Sequence, residues 1–354
     1  MSYQELSERE RQVLVAVIQS YVATAEPAGS RTLSRKFGLG VSPATIRNTM
    51  SDLEEKGFLF HPHTSAGRIP THKAYRLYVD SLVRVDPVAQ VERDRLTEEL
   101  AGASTIEAIL RRAAQSLGVL TQELGVAVGP HFEQATLRQV DLVRLSSDRL
   151  LAVLTLDHGV VRTVFVEVPG AIADEAVREV ARVLNERLAG LSLRDLRVCV
   201  AERLRDVAAA RDGRDGADEL LNIFVSAGGQ LFERAASDDA QLLLGQPSLL
   251  AGQPEFARGP DMRRLLELTE TREELAVLLR RRAGRDAAVA PEISVTIGAE
   301  HADPRLEPFT LVTAEYRAGG LSGVIGVIGP TRMPYEKVIA IVSHTSRLVT
   351  ELLH

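Results

Sequence analysis

The chain contains no tryptophan and a single cysteine, Cys199, among its 354 residues. One cysteine excludes an internal disulfide and a cysteine-rich zinc site, and it fits a reducing compartment. Aromatic residues make up only 4%, so the core must be built from Leu, Val, Ile and Ala. No apolar run reaches the ~18 residues that a membrane helix requires. The opening Met1-Ser2-Tyr3-Gln4-Glu5 is polar and offers no secretory apolar segment. A cytoplasmic protein is expected. The content of 45% hydrophobic and 25% charged residues is ordinary for a globular chain, and the length suggests two or three domains.

The net charge of −6 argues against a nucleic-acid partner until its distribution is considered. Residues 1–85 hold 11 Lys or Arg and 8 Asp or Glu, a net of +3, which leaves −9 for the remainder. A mildly basic module on an acidic body should present its positive end to DNA. Chance segregation of charge would give the same numbers.

Catalytic constellations are missing from the sequence. Gly320-Leu321-Ser322-Gly323 lacks the second spacer of a nucleophile elbow. The glycines at 320, 323, 326 and 329 are not followed by Lys-Ser/Thr and so form no P-loop; a turn and close-packed strand positions suit them better. His61-x-His63 has no nearby Cys, Asp or Glu to complete a metal site. No enzyme activity, cofactor or metal is expected.

What the sequence does hold begins at Ser7-x-x-Glu10, a capping box. Val13, Leu14, Val17, Ile18, Tyr21 and Val22 follow as pairs one helical turn apart. Glu26-Pro27-Ala28-Gly29 breaks that helix. Ser30 caps a second one, Arg31 to Phe37, closed by Gly38. Ser42-Pro43 then starts a third helix, with a hydroxyl cap followed by proline where no N–H is needed, and Gly57 stops it. Ile46, Met50 and Leu53 form its apolar stripe. Ala44, Arg47, Asn48 and Ser51, with Thr45 beside them, form the opposite face. Arg can fork onto guanine and Asn onto adenine, and small neighbours allow close approach. An ordinary amphipathic helix with a solvated face would also fit. Phe58-Leu59-Phe60 reads as a strand, residues 61–68 as a hydroxyl- and imidazole-rich turn, and Ile69-Pro70-Thr71 as the return. Helix, turn, helix and hairpin together make a winged helix-turn-helix, with the helix in the major groove and the wing on the backbone or in the minor groove.

Ser42-x-x-Thr45-Ile46-Arg47-Asn48-x-Met50, the helix end Leu53-Glu54-x-x-Gly57, and Pro62-His63-Thr64-Ser65-Ala66-Gly67-Arg68-x-Pro70-Thr71 resemble the HrcA family of bacterial heat-inducible transcription repressors. On that reading the base readers are Arg47 and Asn48, supported by Thr45, Ser42 and Ser51. His63, Thr64, Ser65 and Arg68 make wing contacts, and Lys73 ends the stretch as a further DNA-binding residue. Arg31 and Lys36 meet phosphates or are plain surface charges.

Farther along, strands are expected at Gln139–Arg144, Leu150–Leu156 and Val160–Val168, with a turn at Asp157-His158-Gly159. Helices are expected at about 172–188, 193–210 and 217–235. Strands return at Glu292–Ile297, Phe309–Tyr316 and Val324–Ile328, before a closing helix from Pro334. The pattern fits one α+β domain interrupted by a helix-rich insertion, or two consecutive domains. The resemblance implies the former. It gives an α+β multidomain chain with an N-terminal winged helix-turn-helix (1–85), a linker helix (86–104), a GAF-like domain (105–170 and 286–354) and an inserted, helix-rich dimerisation domain (171–285).

The function implied is sequence-specific repression of class I heat-shock operons (chaperonin and DnaK-system) by a homodimer on a double-stranded inverted-repeat operator. The chaperonin GroEL/GroES would act as modulator. The alternative is a winged-helix regulator that responds to a small molecule bound in the GAF-like domain.

Overall fold

The computed structural model describes residues 6–353 apart from 63–66, 83–87, 104, 131, 133–134, 158–159, 171, 210–215, 237–241, 257–259, 284–292 and 319–320. Ser7 closes the expected capping box: the Glu10 N–H donates to its Oγ at 3.3 Å, and the Ser7 N–H donates to Glu10 Oε2 at 2.8 Å. It opens α1 (Glu8–Thr24). After the break come α2 (Ser30–Phe37) and α3 (Pro43–Glu55). The short hairpin β1 (Leu59–Phe60) and β2 (Ile69–Pro70) pairs Leu59 with Pro70 and Phe60 with Ile69. Thr71 then caps α4 (His72–Ser81), accepting from the Ala74 N–H. The core of this module is aliphatic, as the poverty in aromatics requires: Val13, Val17, Leu33, Ile46 and Leu53 are buried together with Tyr75.

α5 (Gln90–Leu100) leads to α6 (Ile106–Thr121), which Thr105 caps. The strand β3 (Leu124–Val128) follows directly. It escapes the sequence reading because every residue in Leu124-Gly125-Val126-Ala127-Val128 is buried. A strand covered on both faces shows no alternation.

The next stretch forms a unit of its own. β4 (Leu137–Arg144), β5 (Arg149–Leu156) and β6 (Val161–Glu167) make a three-stranded antiparallel sheet. They are followed by α7 (Asp174–Leu188), α8 (Leu193–Ala209) and α9 (Gly216–Ala236). Val140, Leu150, Ala152, Leu154, Val164 and Val166 of the sheet share one core with Val180, Leu184, Leu196, Val200, Leu220 and Phe224 of the helices. The turn residues His158 and Gly159 lie outside the described residues.

The chain then returns through β7 (Leu242–Leu244), α10 (Pro247–Ala251), α11 (Pro260–Glu270) and α12 (Arg272–Ala283). β8 (Ile293–Ile297), β9 (Phe309–Ala318), β10 (Leu321–Pro330) and α13 (Tyr335–Leu352) complete it. The second sheet runs in the order β7-β3-β10-β9-β8. Gly323, Gly326 and Gly329 are strand positions of β10, while Gly320 lies outside the described residues. α13 buries Val338, Ile341, Val342, Thr345 and Val349, whereas Leu352 is exposed.

Two compact units result: Met1–Val128 with Leu242–Tyr316 and Val324–Leu352, and Gly129–Gln241 with Arg317–Gly323. The boundaries therefore fall near 128 and 241, where the sequence reading placed them at 170 and 285. The reason is physical. The strands β4–β6 bury their apolar face on α7–α9, so they travel with the helices instead of joining the five-stranded sheet. The module of α1–α4 falls in the first unit.

Candidate nucleic-acid interface

The interface is built around α3. Ser42 accepts from the Thr45 N–H at 3.1 Å, and the two hydroxyls lie 3.0 Å apart. That hydroxyl satisfies one of the orphan amides at the helix start. Ile46, Thr49, Met50 and Leu53 face inward. Ala44, Arg47 and Asn48 are exposed, and Thr45 and Ser51 are half-buried. Positions 44, 47, 48 and 51 thus form one outward stripe at helical spacing. Arg31 and Lys36 are exposed on α2, with the Lys36 ammonium 5.5 Å from the centroid of the Phe37 ring.

The base of the β1–β2 hairpin is fastened at both ends by one carboxylate. Glu54, in the last turn of α3, binds Nδ1 of His61 through Oε1 at 2.8 Å and Nη2 of Arg68 through Oε2 at 2.8 Å. A second tie runs through the backbone. Ala28 and Arg68 exchange two hydrogen bonds, of 2.9 Å and 3.0 Å, as an isolated antiparallel bridge. A Cβ at Gly67 would fall 2.3 Å from the Ala28 carbonyl oxygen, so the close crossing requires glycine. Phe60 is exposed at the base of this hairpin. His63, Thr64 and Ser65 lie outside the described residues.

Lys73 is turned back onto the fold. Its Nζ donates to the Lys56 carbonyl at 2.9 Å and sits 4.2 Å from the Phe58 ring centroid. A cation at the carbonyl end of α3 suits the helix dipole. Lys56 itself reaches Glu10 at 2.6 Å. That ammonium, with the Ser7 donors, holds the Glu10 carboxyl below its usual range against the opposing effect of burial.

The HrcA protein C terminal domain model matches residues 107–339. A protein named heat-inducible transcription repressor HrcA from Geobacter sulfurreducens is 38% identical over 353 residues, covering 99% of this chain and 98% of the relative. Another of that name from Chlorobium phaeobacteroides (strain BS1) is 38% identical over 351 residues, covering 97% of each chain. The chain belongs to the HrcA family. A crystal structure described as that of a hypothetical protein shares the fold, with 22% identity, a TM-score of 0.63 and 99% of both chains covered.

In this HrcA chain the structure brings Ser42, Thr45, Arg47, Asn48 and Ser51 onto one helix, with Arg31 and Lys36 on the helix before it. Arg68 and Lys73 are instead held by protein partners, Glu54 and the Lys56 carbonyl. The sequence does not announce Glu54 as the hairpin's anchor or Ala28 as its backbone partner. Glu54 was visible only as part of a motif, and nothing local links residue 28 to residue 68. Among the described residues no helix is long and apolar enough to cross a membrane.

Proposed function

We propose that this HrcA-family chain is a heat-responsive repressor that reads an inverted-repeat operator of class I heat-shock operons as a homodimer in the cytoplasm. The observation that carries the reading is the capped helix α3 with Ala44, Arg47, Asn48 and Ser51 on one outward face, beside a hairpin fastened by Glu54. In this account α1–α3 with the hairpin are a winged helix-turn-helix. Arg47 and Asn48 read base edges, Ser42, Thr45 and Ser51 line the approach, and Arg31 and Lys36 meet phosphates. His63, Thr64 and Ser65 form the wing tip. The five-stranded sheet with α6 and α13 is the GAF-like domain, and the unit of β4–β6 and α7–α9 is the dimerisation domain.

A single helix supplies a few base contacts worth about 1–3 kcal/mol each, too little for one genomic address, so two copies on two half-sites are required. The dimer reading is supported by Val143, Leu145, Val161 and Phe165, all exposed. Val143 pairs with Leu151 and Leu151 with Phe165 across the sheet, so these three side chains form one cross-strand row on its outer face. An apolar row of this kind suits a second copy of itself. The chaperonin GroEL/GroES would keep the repressor folded, and heat would draw it away. Transcription in vitro from a heat-shock promoter tests this. Added protein should silence the promoter, heating should restore transcription, and chaperonin should restore silencing. A promoter indifferent to the protein at every temperature would refute the proposal.

A further inference from the structure

The module α1–α4 is fastened to the five-stranded sheet of its own unit at two separate places, and neither fastening touches the face that would meet DNA. The first is Arg332, in the turn between β10 and α13. Its Nη1 donates to the Val22 carbonyl at 2.7 Å. Val22 is in the last turn of α1, where carbonyls lack helical partners and a cation is favoured. The rest of the guanidinium is gripped from the other side. Nε and Nη2 fork onto Glu255 at 2.5 Å and 3.1 Å, and Nη2 also donates to Gln253 Oε1 at 3.0 Å. These partners are themselves fixed: Gln253 donates to the Gln122 carbonyl at 3.0 Å, and Phe256 stacks on Phe309 with centroids 5.3 Å apart. The Arg332 side chain is only 11% exposed.

The second fastening is α4. Arg76 forks onto Glu300 at 2.6 Å and 2.5 Å, and donates to the Val295 carbonyl at 2.7 Å. The His72 ring lies where a Cβ of Gly298 would be, 2.4 Å from its Cε1, and Gly298 has φ +53°. Tyr78 donates to Glu336 on α13 at 2.8 Å. A single attachment would leave the module free to swivel; two separated ones remove that freedom. Such ion pairs contribute little net stability, because desolvation or screening by solvent offsets their attraction. Fixing one geometry is what forked arginines do better than apolar contacts.

We propose that Arg332, together with Arg76, fixes the orientation of the DNA-reading module on the sheet and thereby sets the half-site spacing that the repressor accepts. The proposal rests on the dimeric reading above and makes both arginines positioning residues. The test uses the full chain and a series of operator duplexes whose half-sites are separated by spacers changed one base pair at a time, beside a single half-site. Wild type should show a sharp optimum of spacing. Arg332→Lys keeps the charge but not the fork. It should bind the single half-site within about twofold of wild type and lose at least tenfold of the contrast between best and worst spacers. Arg76→Ala should flatten the profile in the same way, and the pair should flatten it further. Glu255→Gln, which leaves the arginine and one acceptor oxygen in place, is the control for folding and should give an intermediate profile. Variants that keep the wild-type optimum overturn the proposal, as does a parallel loss on half-site and full operator. A flat profile for wild type itself removes the dimeric reading, and the proposal with it.

Discussion

Arg47 and Asn48 occupy the early turns of α3, which in the proposed function is the part that approaches base edges. Both are exposed. Arg47→Ala should cut the ratio of operator to scrambled-duplex affinity by roughly 5- to 150-fold, the equivalent of about 1–3 kcal/mol. Lys36→Ala should instead weaken both duplexes by the same factor and reduce the salt slope by about 0.9. Identical behaviour of the two variants in a salt titration would show that their roles are misassigned. Arg68 makes a different prediction, because Glu54 already holds its guanidinium. Glu54→Gln should release it to phosphate, raising affinity for both duplexes a few-fold and steepening the salt slope by up to about 0.9. An unchanged slope would mean that Arg68 never reaches DNA. The bases of α3 were legible at this scale from Ser42-Pro43 and the stripe Ile46, Met50 and Leu53. The tie of Glu54 to His61 and Arg68 was not, since it forms only when the hairpin folds back.

At the level of elements, the β1–β2 hairpin has a backbone tie that is distant in sequence. Gly67→Ala places a methyl against the Ala28 carbonyl and must break the 28–68 bridge. Operator affinity should fall at least tenfold while far-ultraviolet circular dichroism stays near wild type; unchanged binding would show that the wing contributes nothing. α4 carries a pH signature. Burial and the bond to Glu336 push the Tyr78 hydroxyl up to about 12, above the ~10 of an unfolded chain. Its stabilising contribution is therefore complete below pH 10 and is lost as pH rises through 12. Denaturant titrations should show stability falling across that window, and Tyr78→Phe should flatten the fall. Equal slopes for the two proteins would contradict the docking of α4. Helices and alternating strands were legible because their periods survive in sequence: β4–β6 show theirs openly. β3, buried on both faces, and β7, of only three residues, carry no period to read.

For the whole molecule, the order of elements leaves the grouping of the strands open, and burial puts β4–β6 with the helices α7–α9. Leu150, Leu154 and Val166 face the helices α7–α9, a pairing that no spacing along the chain announces. The same sheet leaves Phe165 61% exposed on its outer side. Phe165→Glu should therefore spare the fold of its unit but halve the mass seen by light scattering; a mass equal to wild type would place the dimer contact elsewhere. In the proposed function two copies of α3 read two half-sites. Its most direct test is titration of the full chain, across salt, against the intact inverted repeat, a single half-site and a scrambled duplex. Binding should be tightest to the intact repeat, weaker to the half-site and weakest to the scrambled duplex, with the order kept at every salt concentration. Equal affinity for all three would contradict it and leave only a general affinity for DNA.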